Sequence, residues 1–376
     1  MEVYFILVAF LIIAFLYFKI EKEKYKRKKY IQKDINAINT RETTLYFFCI
    51  FLLLAFRHQS MGYDLDYRSS TGYLGWFETF ANADLSMMPI LALSSGYDLG
   101  FVLFNKLLGF FTTERQLFLA SCAAISILPY IPFVKKYSPS PFVSVAIFIG
   151  LPTFLYLYGT LRQMMAVGIL LYSIDYIVNR KFKKFVFVVI IAFFFHASCI
   201  IFLLAYPLYH MKITGLGRVC TFIVIALVYV TRAILLPHIL PYITVGEYSI
   251  DNTSSSKSFY VFIFIYVVCC LLSQKYHCNS KEGLQINGFL NLFFMSCVCM
   301  AFQDITPVAA RMSAFFMFSL VVLVPIIIST IRSNRWRAVI SLFFVLFFLG
   351  YGLIRIDAGG EEYAMSSPYY WFWETI

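Results

Sequence analysis

The sequence predicts an all-α polytopic integral membrane protein: one membrane domain over residues 1–376, with about ten transmembrane helices. Three observations predict it. The chain is 61% hydrophobic and only 14% charged, with a mean hydropathy of +0.77, a composition foreign to soluble domains. Apolar runs of near-spanning length recur along it. Its net charge of +11 is gathered into a few segments between those runs. That is cytoplasmic loop bias and gives no reason to expect nucleic acid as a partner.

The elements follow in order. Val3 to Phe18 is an apolar first span. It lacks the basic flank and small-residue pattern of a cleavable signal peptide. Residues 19–42 carry nine Lys/Arg against four Asp/Glu, so this loop is expected in the cytoplasm and the N-terminus outside. Thr43 to Phe56 crosses outward. The loop 57–98 is then extracytoplasmic, with two Lys/Arg against five acids and many aromatic residues. Leu74 to Phe80 reads as an amphipathic helix along the interface. Leu99 to Phe111 reads as a short re-entrant or interfacial helix, because a full span there would put Lys135 and Lys136 outside.

Leu117 to Val134 crosses inward, Phe142 to Tyr158 outward and Met164 to Val178 inward, ending at Arg180, Lys181, Lys183 and Lys184. Phe185 to Tyr209 needs an argument. As one span it would put Lys275, Lys281, Arg332, Arg335 and Arg337 outside. As a hairpin with His196 at its tip it returns all of them to the cytoplasm. Each arm of about 13 residues gives ~20 Å of helix, short of a ~30 Å hydrocarbon core. A short re-entrant hairpin near His196, or a short pair in thinned bilayer, is therefore expected. Val219 to Leu236 crosses outward to an extracytoplasmic loop, 237–257. Phe259 to Leu272, Gly288 to Phe302, Met312 to Ile331 and Ala338 to Ile354 complete the set and leave an acidic, aromatic tail outside. No internal repeat or Ser/Gly-rich linker divides the chain. The nine cysteines lie mostly in apolar runs, as at Cys269, Cys270, Cys297 and Cys299. They read as small buried hydrophobes, without zinc spacing.

Chemistry concentrates on the outer side. Arg57 to Tyr67 packs Arg57, His58, Asp64 and Asp66 beside a membrane edge, with Gly62 for a tight turn. The bland reading is a solvated loop whose charges pair with each other. The topology adds Arg162, Gln163, Arg311 and His196 to the same side. One border arginine usually snorkels to headgroups. Three outer arginines lack the charge-bias explanation, and guanidinium forks suit phosphate oxygens at membrane depth. His196, in Phe195-His196-Ala197-Ser198, is either a satisfied buried histidine or a chemical group. Asp64 and Asp66 either balance Arg57 and Arg68 or supply a base. Tyr63, Tyr67, Trp76 and Tyr97 suit sugar stacking, with an interfacial aromatic belt as the alternative. Asp64-Leu65-Asp66 matches a metal-binding pattern in letters only; no metal or cofactor is expected.

Five motifs occur in order: Arg57 with Gly62-Tyr63-Asp64 and Tyr67; Tyr97-Asp98-Leu99-Gly100-Phe101; Leu161-Arg162-Gln163-Met164-Met165-Ala166; Phe195-His196-Ala197-Ser198; and Arg311-Met312-Ser313. Together they resemble the EpsG family of Wzy-type polysaccharide polymerases, from about residue 45 to 325. Asp98 departs from that family's more usual glutamate, which leaves a catalytic role for it in doubt. The resemblance implies a polymerase that joins undecaprenyl-diphosphate-linked oligosaccharide repeats at the periplasmic face of the bacterial inner membrane, in O-antigen, capsule or exopolysaccharide synthesis. It implies the bilayer and a chain-length regulator protein as partners. The expected substrate-binding residues are Arg57, Tyr67, Arg162, Gln163 and Arg311. Asp64 is the first choice of catalytic base and His196 the second. The rival readings are a flippase for the same lipid-linked oligosaccharide and a glycan ligase.

Overall fold

The computed structural model describes residues 1–27, 32–65, 72–213, 215–243, 257–273, 280–305, 307–358 and 366–375. The chain is 81% helical, with no strand among the described residues, so the class is all-α. Eight helices there are long and apolar enough to cross a membrane, or nine if one bent pair counts as a span. The tenth expected span, Phe259 to Leu272, is the shorter apolar helix Ser258–Ser273. Helices are what such runs must form, since lipid offers no partner to a backbone N–H or C=O. The loop expected at 237–257 falls mostly outside the described residues.

The first helix shows how burial follows the helical period. Tyr4, Leu11, Ala14 and Phe18 face the bundle, while Phe5, Ile6, Ile13, Leu16 and Tyr17 face out. The segment Arg311–Ser329 lies at the centre and is almost wholly buried. The helices Pro141–Gly150 and Asn334–Ala358 cross almost backbone to backbone. A Cβ on Gly150 would stand 2.5 Å from the Phe348 carbonyl oxygen, and one on Gly352 2.7 Å from that of Ile149. Small residues permit this approach.

Side chains mark the two ends of the bundle. Lys22 pairs with Glu42 at 2.5 Å and Lys136 with Asp175 at 2.6 Å at the end carrying the basic loops. At the other end Gln116 donates to the carbonyls of Ala55, at 2.5 Å, and Arg57, at 3.1 Å. The tail returns to this second end. The Tyr4 hydroxyl donates to the Ser366 carbonyl at 2.5 Å, and the His58 N–H to that of Tyr370 at 2.8 Å.

Two departures from straight helices build the site. Phe142 to Tyr158, expected as one span, is broken: Pro141–Gly150 and Pro152–Gly159 meet at 64°. Leu151 is extended, as the residue before a proline is driven to be. The second departure is at His196. The helix Phe182–Phe195 stops, His196 is extended at φ −158°, and a 3-10 helix, Ala197–Leu204, runs back. The Phe185 ring meets those of Phe202 at 6.0 Å and Tyr206 at 5.5 Å. His210 bonds the Ile177 carbonyl at 2.9 Å, so the chain has come back to the level at which the hairpin began.

The described residues of 57–98 are folded onto the second end. Tyr73–Asn82 buries Tyr73, Leu74, Phe77 and Phe80 on one side, as an amphipathic helix does. It packs on Leu99–Gly109, where Lys106 donates to the Ala81 carbonyl at 2.9 Å.

Candidate functional site

The site begins where the second long helix ends. Gly62 has φ +133°, and a Cβ there would lie 2.0 Å from the Tyr158 carbonyl oxygen. Only glycine lets the loop rest on the C-terminal end of the helix Pro152–Gly159. Asp64 follows, its carbonyl accepting from the Tyr73 N–H at 3.0 Å. Burial pushes its carboxyl above the usual range, while Arg311 and then Arg162 pull it back.

Arg162 opens the helix Leu161–Leu171. Its Nη1 donates to Asp98 Oδ2 at 2.9 Å and to the Gly96 carbonyl at 3.4 Å. Its Nε reaches the Tyr73 hydroxyl at 3.4 Å, and its plane lies over Tyr97, 4.4 Å from the ring centre. Two polar arms and an aromatic face fix this guanidinium in one orientation.

Asp98 is set by its neighbours in sequence. Gly96, at φ +70°, ends the helix Met88–Ser95, and Asp98 sits at the N-cap of Leu99–Gly109. A Cβ on Gly100 would stand 2.6 Å from Phe194 Cβ, so this helix reaches the hairpin tip. Asp98 Oδ1 accepts from the Ala197 N–H at 3.1 Å, and Oδ2 is 3.9 Å from His196 Nδ1. Burial raises the Asp98 carboxyl, against the pull of Arg162 and the Ala197 N–H. His196 Nε2 lies 2.7 Å from Ser198 Oγ, and its ring lies near-parallel to Phe315 at 6.2 Å.

Arg311 comes from the central segment. Its guanidinium lies over Tyr63, 5.5 Å from the ring centre, and its carbonyl accepts from Gln163 Nε2 at 2.5 Å. Asp64, Arg162, Gln163, His196 and Arg311 thus converge, from four parts of the chain, at the end away from the basic loops. Arg162, Arg311 and the Asp98 carboxylate lie about the His196 imidazole, and the same two guanidinium groups face Asp64. Such a set can hold an anion and move a proton beside it. Among the described residues no three His, Cys, Asp or Glu side chains group as metal ligands.

Arg57 is elsewhere, and the expectation that it joins Asp64 or the anion is corrected. It is 2% exposed and donates from Nη1 to the Leu157 carbonyl at 2.9 Å, with Tyr158 beneath it at 5.0 Å. Tyr4, Tyr369 and Cys122 complete its surroundings. It caps the carbonyl end of the helix Pro152–Gly159, where a cation opposes the helix dipole. The expectation that Asp64 is balanced by Arg57 is corrected likewise, since its cationic neighbours are Arg311 and Arg162. Tyr67, Asp66 and Arg68 lie outside the described residues. The aromatic candidates are already engaged: Tyr63 under Arg311, Tyr97 under Arg162, and Trp76 stacked on Phe80 at 5.3 Å.

Sequence reasoning gave Asp98 no role. Its signal was present, as an acid between a glycine-ended turn and an apolar helix, but only its contacts with Arg162 and Ala197 give it a place. Tyr73 was missed for the same reason, while Ser198 was named as a partner of His196, and the contact is present at 2.7 Å.

A family model described as the EpsG family matches residues 43–369, most of the chain. The chain therefore belongs to the EpsG family, whose members are Wzy-like polymerases. No curated protein and no solved structure matches it.

Proposed function

We propose that this EpsG-family chain joins undecaprenyl-diphosphate-linked oligosaccharide repeats by glycosyl transfer, on the outer face of the bacterial inner membrane. Membership of that family supports a polysaccharide polymerase-like role at the coarse level. The observation that carries the finer reading is the meeting of Arg162, Arg311, Asp64 and His196 at the end opposite the basic loops. The reaction has two hard parts. The leaving diphosphate gathers negative charge, and the attacking sugar hydroxyl is a weak nucleophile. Arg162 and Arg311 answer the first by electrostatic stabilisation. A group that takes the hydroxyl proton answers the second.

The geometry favours His196 over Asp64 as that group. Asp64 is engaged with two guanidinium groups, those of Arg311 and Arg162. His196 has one ring nitrogen directed at a hydroxyl already, that of Ser198. Asp64 then serves as the counter-charge that keeps Arg311 and Arg162 together before substrate arrives.

A flippase would want charge along the middle of several spans, and usually internal halves. Here Asp98 and Arg162 sit at helix starts, Asp64 in a turn and Arg311 in the second turn of the helix Pro307–Met317, which supports the polymerase. A ligase shares the donor chemistry. The test is a glycan ladder from a deletion strain. Single repeats on intact lipid carrier, present at the outer face, are the expected result. Loss of translocated repeats would support a flippase instead.

A further inference from the structure

We infer that Asp98 is a positioning residue that exchanges Arg162 for His196 when the donor's diphosphate arrives, so that donor binding arms the base. The inference rests on the reading above and adds an order to it.

Asp98 Oδ2 faces two groups. Arg162 Nη1 holds it at 2.9 Å, and His196 Nδ1 stands 3.9 Å away. The second distance is outside hydrogen-bonding range. His196 Nδ1 is buried and has no hydrogen-bond partner among the described residues, a costly condition for a polar atom. Asp98 Oδ1 meanwhile is fixed to the N–H of Ala197, the residue next to His196. The carboxylate is therefore anchored to the hairpin tip by one oxygen, with the other shared unequally. Closing the gap to His196 needs a movement of about 1 Å, the difference from an ordinary hydrogen bond.

The diphosphate supplies the cause. Its oxygens compete for the same guanidinium donors that Asp98 occupies. Arg162 keeps Tyr97 beneath it and so stays in place while its partner changes. A freed Oδ2 then meets His196 Nδ1. With Nδ1 carrying the proton, Nε2 presents its lone pair where Ser198 Oγ now lies at 2.7 Å. A carboxylate on Nδ1 fixes that tautomer and stabilises the imidazolium that forms.

The step balances as follows. The acceptor hydroxyl takes the place of Ser198 at Nε2. Its O–H bond breaks, the proton passing to Nε2. Its oxygen bonds the anomeric carbon of the donor glycan. The bond from that carbon to the diphosphate oxygen breaks, and the electron pair leaves on the diphosphate between Arg162 and Arg311. The proton passes to water after release. Without donor the base stays unarmed.

The experiment uses the full chain in lipid nanodiscs with ¹⁵N-labelled histidine, and undecaprenyl diphosphate as the probe. The His196 signals are identified by their loss in His196→Gln. Saturating probe is expected to move the His196 Nδ1–H proton downfield in the wild type and not in Asp98→Asn. Asp98→Asn should lower kcat by ~10²-fold or more, in the range of a disabled general base, while probe affinity is kept or increased. Asp98→Glu, which retains the carboxylate, should recover part of both the shift and the rate, and it separates this role from a folding defect. A wild type that binds the probe with His196 unmoved overturns the inference and leaves the proposed function standing. So does an Asp98→Asn protein whose loss is in probe affinity with kcat intact. A wild type that does not bind the probe overturns both.

Discussion

Gly159 has no room for a side chain because Tyr63 occupies it: a Cβ there would come 2.2 Å from Cε1 of that ring. The contact ties the last turn of the helix Pro152–Gly159 to the residue before Asp64, and through the ring to Arg311. Gly159→Ala is expected to leave the fold in place, since alanine gains up to ~1 kcal/mol of helix propensity over glycine. The displaced ring should instead lower turnover. Polymer length and melting temperature measured together check this. Unchanged polymer would mean the Tyr63 ring can move without disturbing Asp64 and Arg311.

Arg162→Lys keeps a charge and loses the fork. Lysine cannot span Asp98, Tyr73 and the face of Tyr97 at once. The loss of one charge-assisted hydrogen bond is expected to cost ~1.5–3 kcal/mol in transition-state stabilisation. Chains should shorten in Arg162→Lys and disappear in Arg162→Ala, with protein levels intact. Full-length polymer from both variants removes Arg162 from the site.

His196→Gln keeps hydrogen bonding and loses proton transfer, so turnover should fall by about 10²–10⁴-fold. Asp64→Asn should act more through donor affinity, because it removes the counter-charge of Arg311 and Arg162. The readout is kcat against KM with purified protein and lipid-linked repeat. A dead Asp64→Asn beside a near-normal His196→Gln would return Asp64 to the role of base.

Asp64 also predicts a pH effect on stability. Its folded carboxyl is raised above the ordinary 3.8 by burial, net of the two arginines. The folded chain then holds that proton more tightly than the unfolded chain. The associated stability is present below the unfolded value and is lost as pH rises through the raised one. Asn cannot ionise. The melting temperature of Asp64→Asn should therefore gain on that of the wild type between pH 4 and pH 7. A gap that stays constant or reverses means the arginines outweigh burial.

Arg57 should behave as a structural residue. Arg57→Ala opens a large hole and leaves the Leu157 carbonyl without its donor, with an expected cost on the order of 3–5 kcal/mol and low protein levels. Arg57→Met fills the space and should be milder, with undecaprenyl diphosphate affinity unchanged. Folded Arg57→Met that has lost that affinity would put Arg57 back with the anion.

The fold was legible because its signal is compositional. A run such as Leu117 to Val134 is a helix in any arrangement, and Pro152 announced a break that the run-length reading smoothed over. Arg162, His196 and Arg311 were legible as a group because charge bias fixed which end of the bundle each run points to. Arg57 was not. A charge at the end of an apolar run can turn to water or into the bundle, and its acceptor is 100 residues away. Asp98 was discounted because it differed from an expected glutamate. Its part depends on Gly96 and Gly100 bringing it to Arg162 and the hairpin, which no single motif displays.

The reversal at His196 bears on what the protein must refuse. A base that activates a sugar hydroxyl does the same for water, and water would cut the donor from its carrier with nothing gained. Phe315 lies alongside the imidazole, Nδ1 is sealed, and Ser198 stands at the remaining nitrogen. If His196 is the base, as proposed, hydrolytic leakage is limited to whatever can displace one serine hydroxyl. A sugar held on a second carrier can do so by its local concentration; a passing water must do it alone.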